Sequence, residues 1–517
     1  LTRQIDRNTL PVMGKVWGPE AVAKNASTSL YGSIVALDES PLQEGLLYVG
    51  TDDGLIQVSE NAGASWRKIE SVPGVPPRTY VSFLHCSTHD ANTVYAAFDN
   101  HKMADFRPYV YRSTDRGKSW QAIGGGLPEN GPVYAVAEDH VDSELLFVGT
   151  EFGVHASTDG GSAWVRMKSG LPTIAVKDLT IQRRENDLVL GTFGRGFYVL
   201  DDYAPLREID AALLGGEAHI FPVKDALMFI EATHRGIHSQ GETFYTAENP
   251  PFGATFTYYL KEESKTRKQR RLAEEKKLRK DGKTPPYPDW ETLRAEDTEL
   301  KPYLLFTIRD ETGTVVRKLH AAAKKGVHRL TWDLRFPDRS PVGSKTEVNK
   351  ANGLLVLPGQ YSVEMAEVVD GIERRIAGPV SFTTRVLDNT TLPADDRAAL
   401  VAFQQRLGEI QRVTLGVQKY AGELHERLQV VEKALHITPE AGAALMKGWT
   451  DLRSRMLDID RRLNGDKTIS SRNGNAGKSI VDRIQYLMYF IYRSTSAPAA
   501  WNACTIKARY SPLSLLA

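Results

Sequence analysis

Three stretches of this 517-residue chain share one spacing. Residues 113–120, Ser-Thr-Asp-Arg-Gly-Lys-Ser-Trp, read S-x-D-x-G-x-x-W; residues 157–164 repeat the pattern, and residues 59–66 carry a degraded copy. A hydroxylated residue, an Asp and a Gly at fixed offsets before a Trp suit a tight turn. The carboxylate accepts from backbone N–H groups, the Gly takes positive φ, and the Trp opens the next strand. Copies in register, each flanked by strand-like runs, predict a repeat architecture. Ser113, Asp115, Gly117 and Trp120, with Ser157, Asp159, Gly161 and Trp164, are therefore read as structural.

The flanking runs define the repeated unit. Around the first copy, residues 33–37, 46–51, 55–58 and 66–69 are short, rich in β-branched and aromatic residues, and separated by turn residues, so they read as four strands. The same grammar returns over 80–123 and 132–167. A fourth unit, 174–200, keeps strand-like runs at 188–192 and 197–200 but has Asp201-Asp202 in place of the turn motif. Gly50-Thr51-Asp52-Asp53-Gly54, Gly149-Thr150-Glu151-Phe152-Gly153 and Gly191-Thr192-Phe193-Gly194-Arg195-Gly196 fall at equivalent places. A repeat of about 40 to 45 residues is that of β-propeller blades. Four blades of this kind make a partial propeller, because closed rings usually need more. The remaining blades are expected from a segment ahead of Leu1 or from a partner chain.

Residues 1–32 read as a lead-in and 33–204 as the blades. Over 205–390 the strands lengthen and alternate, as in an immunoglobulin- or fibronectin-like β-sandwich with Trp332 as a core anchor. A mostly basic, helix-prone insertion lies at about 261–300 and reads as a solvated helical excursion. From 391 to 517 the apolar period becomes helical and predicts an antiparallel bundle, with a helix start at Thr438-Pro439. The fold class is thus mainly β with a helical C-terminal part.

Composition narrows the partners. A net charge of +1 gives no electrostatic reason to expect nucleic acid or an anionic membrane. No apolar run is long enough for a membrane span. Cys86 and Cys504 form neither a disulfide framework nor a Cys-rich metal site, and His101 has no second His or Cys at ligand spacing, so no metal or cofactor is expected.

The turn motif resembles the Asp-box, or BNR repeat, of sialidase-like propellers. Asp99-Asn100-His101-Lys102, Asp105-Phe106, Pro108-Tyr109, Gly191-Thr192-Phe193-Gly194-Arg195 and Asp201-Asp202-Tyr203 extend the likeness. So do Asn249-Pro250-Pro251-Phe252-Gly253, Trp332-Asp333-Leu334-Arg335, Leu357-Pro358-Gly359-Gln360-Tyr361 and Ser494-Thr495-Ser496-Ala497-Pro498. Together they resemble the C-terminal half of bacterial BNR-repeat "glycosyl hydrolase" or sortilin-like proteins. The resemblance implies further blades upstream and export, so a secreted, periplasmic or cell-surface location. The last residues, 501–517, fit that family's final helix poorly.

Blade geometry selects candidate residues. The turns between second and third strands share one face, which collects Asp52, Asp53, Asp99, Asn100, His101, Lys102, Asp105, Arg107, Glu151, Phe152, Phe193 and Arg195. The second unit carries an insertion there, and long loops on a rigid scaffold concentrate binding residues. Ligand recognition is assigned to this face. Asp53 and Asp105 are candidate catalytic carboxylates if they lie about 5 to 10 Å apart. Asp99, Asn100 and Asp105 could equally fold the insertion, with Arg107 paired to one of them. Three readings follow: a protein binding a glycan or extended peptide, a glycoside hydrolase, and a subunit of an extracellular assembly, a homo-oligomer included.

Overall fold

The four repeats become four antiparallel sheets, each ordered as in the sequence. The computed structural model describes residues 6–12, 14–18, 20–21, 32–229, 247–343, 346–350, 353–387, 395–492 and 496. Most of the lead-in, residues 493–495 and 497–517, and Cys504 lie outside them. The chain divides into two compact units, Leu1–Leu214 and Gly215–Ala517.

In the first unit, strands Ile34–Glu39, Leu47–Thr51, Ile56–Ser59 and Arg67–Ile69 form the first blade. Tyr80–Cys86, Val94–Asp99, Tyr109–Ser113 and Gln121–Ala122 form the second; Val133–Glu138, Leu146–Thr150, Gly153–Ser157 and Val165–Arg166 the third. The fourth has three strands, Val176–Gln182, Asp187–Thr192 and Phe197–Leu200. It stops there because the Tyr203 N–H turns back to the Asn186 carbonyl and Pro205 opens the short helix Ala204–Glu208. The fourth unit, which has Asp201-Asp202 in place of the turn motif, forms a blade one strand shorter than the other three.

Alternation along each strand supplies two apolar faces, one for each neighbouring blade. Tyr95 and Ala97 pack with Val136, Val148 and Trp164 of the third blade, whereas Ala96 and Phe98 pack with Tyr48, Ile56 and Val58 of the first. Each fully buried large side chain contributes about 1.5 to 3 kcal/mol. First strands of successive blades lie against one another, the radial order of a β-propeller. Buried Glu138 ties the third blade to the second by accepting from Ser87 Oγ at 2.9 Å, the Thr88 N–H at 2.7 Å and the Tyr95 hydroxyl at 2.9 Å.

The second unit contains a three-stranded sheet, Ala218–Ile220, Ala254–Leu260 and Gly326–Trp332. Its five-stranded sheet runs Ala226–Met228, Ile372–Val386, Gly359–Val369, Tyr303–Asp310, Val315–Ala322. The two share one core in which Trp332 is fully buried, edge-on to Tyr361 and Phe382. The basic insertion holds helices Arg267–Lys280 and Trp290–Thr298; the first buries no residue. Helices Arg397–Ile437, Ala443–Asn464 and Ile480–Ile491 pack mutually. The second starts after Gly442 rather than at Thr438, because Thr438 caps the preceding helix by donating to the Ala434 carbonyl. Among the described residues no helix is long and apolar enough to cross a membrane.

Candidate functional site

Successive turns of a meander alternate between its two ends. The turn motifs lie at one end of the blades, and the loops between second and third strands lie at the other. At the motif end the Ser and Asp side chains bond within their own turns. Asp115 Oδ1 accepts from Ser113 Oγ at 2.8 Å and from the Lys118 and Ser119 N–H groups at 2.9 and 2.8 Å, while Oδ2 accepts from Ser119 Oγ at 2.6 Å. The Ser119 bonds, above all, hold this carboxyl at about 2. Ser113 Oγ takes the Gly117 N–H at 2.7 Å, and Gly117 has φ of 75°, where a Cβ would lie 2.9 Å from Ile69 Cδ1. Ser157, Asp159 and Gly161 repeat this, and Asn61 takes the Asp role in the first blade. Trp164 Nε1 donates to the Ile123 carbonyl at 2.7 Å, clasping the third blade to the second.

The opposite face holds a cavity of about 520 Å³. Phe106, Tyr134, Phe152 and Phe193 supply its aromatic walls, and His101, Asn130, Glu151 and Lys177 its polar groups. Phe106, Phe152 and Phe193 are 48, 38 and 72% exposed, so apolar ring surface faces solvent there. Glu151 accepts from the Tyr134 hydroxyl at 2.6 Å and lies 3.7 Å from Lys177 Nζ. That ammonium sits 3.2 Å from the centre of the Tyr134 ring and 6.0 Å from that of Phe193. Burial pulls the Lys177 ammonium below its ordinary value, against Glu151 and Asp99, and burial followed by the Glu151 bond raises the Tyr134 hydroxyl.

Of the residues expected on this face, His101, Glu151, Phe152 and Phe193 line the cavity. Asp99 stands behind His101, its carboxylate 2.6 Å from Nδ1, and also accepts the His101 N–H. Asp105 is absorbed by the insertion: it accepts from Arg107 Nε and Nη2 at 2.9 Å each, from the Tyr109 hydroxyl at 2.6 Å and from Asn100 Nδ2 at 3.2 Å. The Arg107 bonds hold its carboxyl well below the usual carboxylate range. Arg107 lies over the Tyr109 ring and Lys102 over Tyr80. Asp53 is buried and accepts from Thr51 Oγ1 at 2.5 Å; Asp52, also buried, takes the Gly32 and Ser33 N–H groups. Arg195 is exposed. Among the described residues the cavity wall thus carries one carboxylate, Glu151, and neither Asp53 nor Asp105 belongs to it.

Tyr134 and Lys177 are additions that loop reasoning missed. Each occupies the one position where its blade's first strand slips register, between Val133 and Ala135 and between Val176 and Asp178. The same slip falls at Val35 and Ser82 in the first two blades. A bulge leaves its extra residue unpaired and re-aims the side chain, which turns Tyr134 and Lys177 into the cavity. Aligning the four first strands puts Val35, Ser82, Tyr134 and Lys177 in one column, and that column was the available signal.

These features define a protein of the β-propeller class, with an aromatic and charged cavity on the loop face of its blades. No family model and no curated protein matches the chain. Among solved structures it is similar to the GH74 xyloglucanase of Xanthomonas campestris, at 14% identity and TM-score 0.25 over 31% of this chain and 26% of that one. It is similar to YCF48 bound to D1 peptide, at 12% and 0.26 over 33 and 52%. It is also similar to the Swd1 β-propeller domain of Myceliophteria thermophila, at 14% and 0.27 over 35 and 55%. The match spans about a quarter to a half of those chains.

Proposed function

We propose that this protein binds a segment of an extended polymer, a glycan or a peptide, in the loop-face cavity. The observation that carries the reading is three solvent-facing phenylalanines, Phe106, Phe152 and Phe193, grouped around Tyr134, Glu151 and Lys177 in one cavity. Exposed rings beside a few convergent polar groups are what ligand sites offer, because the rings supply contact area and the polar groups fix orientation. By contrast, hydrolysis of a glycoside by paired carboxylates needs a second acid beside Glu151, and the wall residues supply none. The resemblance to BNR-repeat and sortilin-like proteins supports export and further blades from a preceding segment or partner chain.

The test is a glycan and peptide array probed with the wild-type protein and with the Phe152→Ala/Phe193→Ala double variant. Binding to at least one ligand class, lost at least tenfold in the variant at unchanged thermal midpoint, is expected. Ligands retained in full by the variant would move the site elsewhere.

A further inference from the structure

Within that cavity, Lys177 occupies a place built for a cation. Its Nζ lies 3.2 Å from the Tyr134 ring centre, 3.7 Å from Glu151 Oε2 and 6.0 Å from the Phe193 ring centre. An aromatic face with a carboxylate at its edge attracts an ammonium from both sides. Two carboxylates, Glu151 and Asp99, act on this one ammonium. The seat is not sealed, since the Lys177 and Glu151 side chains are 41 and 42% exposed. A lysine on a flexible four-carbon stem can therefore leave for water at small cost.

We propose that Lys177 is a stand-in for the ligand, and that the cavity anchors an extended peptide through a lysine side chain of that peptide. This rests on the ligand-binding reading of the cavity. The choice of a peptide follows from the occupant, since the chemistry already seated against Tyr134 and Glu151 is a lysine side chain. The incoming ammonium takes the Tyr134 face, Lys177 swings to solvent, and residues flanking the ligand lysine cover Phe106, Phe152 and Phe193. A site filled by its own lysine binds more weakly by the fraction of time it is filled. Removing Lys177 then strengthens binding of a cationic ligand, whereas an anionic ligand would lose its partner.

Capped nonapeptides identical except for a central Lys, Ala or Glu would be titrated into wild-type, Lys177→Met and Glu151→Gln proteins. The Lys peptide is expected to bind, about threefold or more tighter to Lys177→Met and about tenfold weaker to Glu151→Gln. Preference for the Glu peptide, with loss in Lys177→Met, would overturn the lysine anchor and leave the cavity reading intact. So would binding of an array glycan that depends on Phe152 and Phe193, with no binding of the Lys peptide. Absence of any ligand dependent on those two phenylalanines would overturn both.

Discussion

The third blade carries two carboxylate, cation and tyrosine groupings, one at each end of its first strand, and they are built to opposite standards. Beyond the strand's last residue, Asp139 is fully buried. It accepts from Arg207 Nε and Nη2 at 2.7 and 2.8 Å and from the Tyr203 hydroxyl at 2.5 Å, and Arg207 also donates to Asn186 Oδ1 at 2.7 Å. At the strand's start, Tyr134 bonds Glu151, and Lys177 lies 3.7 Å from that carboxylate with both side chains about two-fifths exposed. The first grouping uses a guanidinium fork that satisfies both carboxylate oxygens and closes the short fourth blade onto the third. The second uses a flexible ammonium over a ring and remains open to solvent. Similar ingredients are thus sealed in one place, where they hold two blades together, and left accessible in the other, where the proposed ligand would reach them.

Breaking the sealed grouping has the largest expected effect. Asp139→Ala removes the fully buried carboxylate from a guanidinium that is only 17% exposed and keeps Asn186 as its remaining partner, and the loss should be about 3 kcal/mol. Hydrogen exchange of third- and fourth-blade amides reads it directly. A loss under about 1 kcal/mol would erase the contrast. Acid sharpens the same point. Burial would raise the Asp139 carboxyl, but the Arg207 and Tyr203 bonds prevail and hold it at about 2, below the ordinary 3.8. Its contribution is complete above the ordinary value and is lost as pH falls from there through about 2. Fourth-blade protection measured between pH 5 and 2 should fall in that window, and Asp139→Asn should remove that part of the slope.

The turn motifs come next. Asp115→Ala removes the acceptor of two N–H groups and two hydroxyls in a half-exposed turn, for about 1 to 2 kcal/mol. Ligand affinity should stay unchanged, because the motif and the cavity lie at opposite ends of the blades. Glu151→Gln is the smallest effect on stability, under about 1 kcal/mol for an exposed pair. Denaturation of the two variants side by side checks both.

The blades were legible because their determinants are local. Turn spacing, alternation and β-branched runs located strands such as Leu47–Thr51 and Phe197–Leu200 to within a residue. Half of the cavity was legible for the same reason, since His101, Glu151, Phe152 and Phe193 sit in turns that the repeat aligns. Tyr134 and Lys177 were not, because a one-residue bulge decides which way a strand residue points, and a bulge leaves little trace in composition. Asp53 and Asp105 drew attention as carboxylates on the right face. Their hydrogen bonds to Thr51, Arg107, Tyr109 and Asn100 are a matter of side-chain geometry that spacing does not encode.

The claim that the open grouping serves recognition is tested most directly by hydroxyl-radical footprinting of the protein with and without its strongest array ligand. Phe106, Phe152 and Phe193 should each lose at least half of their oxidation rate on binding, while Trp120 and Trp164 at the motif end stay unchanged. Saturating ligand that protects the motif end, or leaves all three phenylalanines as reactive as before, would contradict the account.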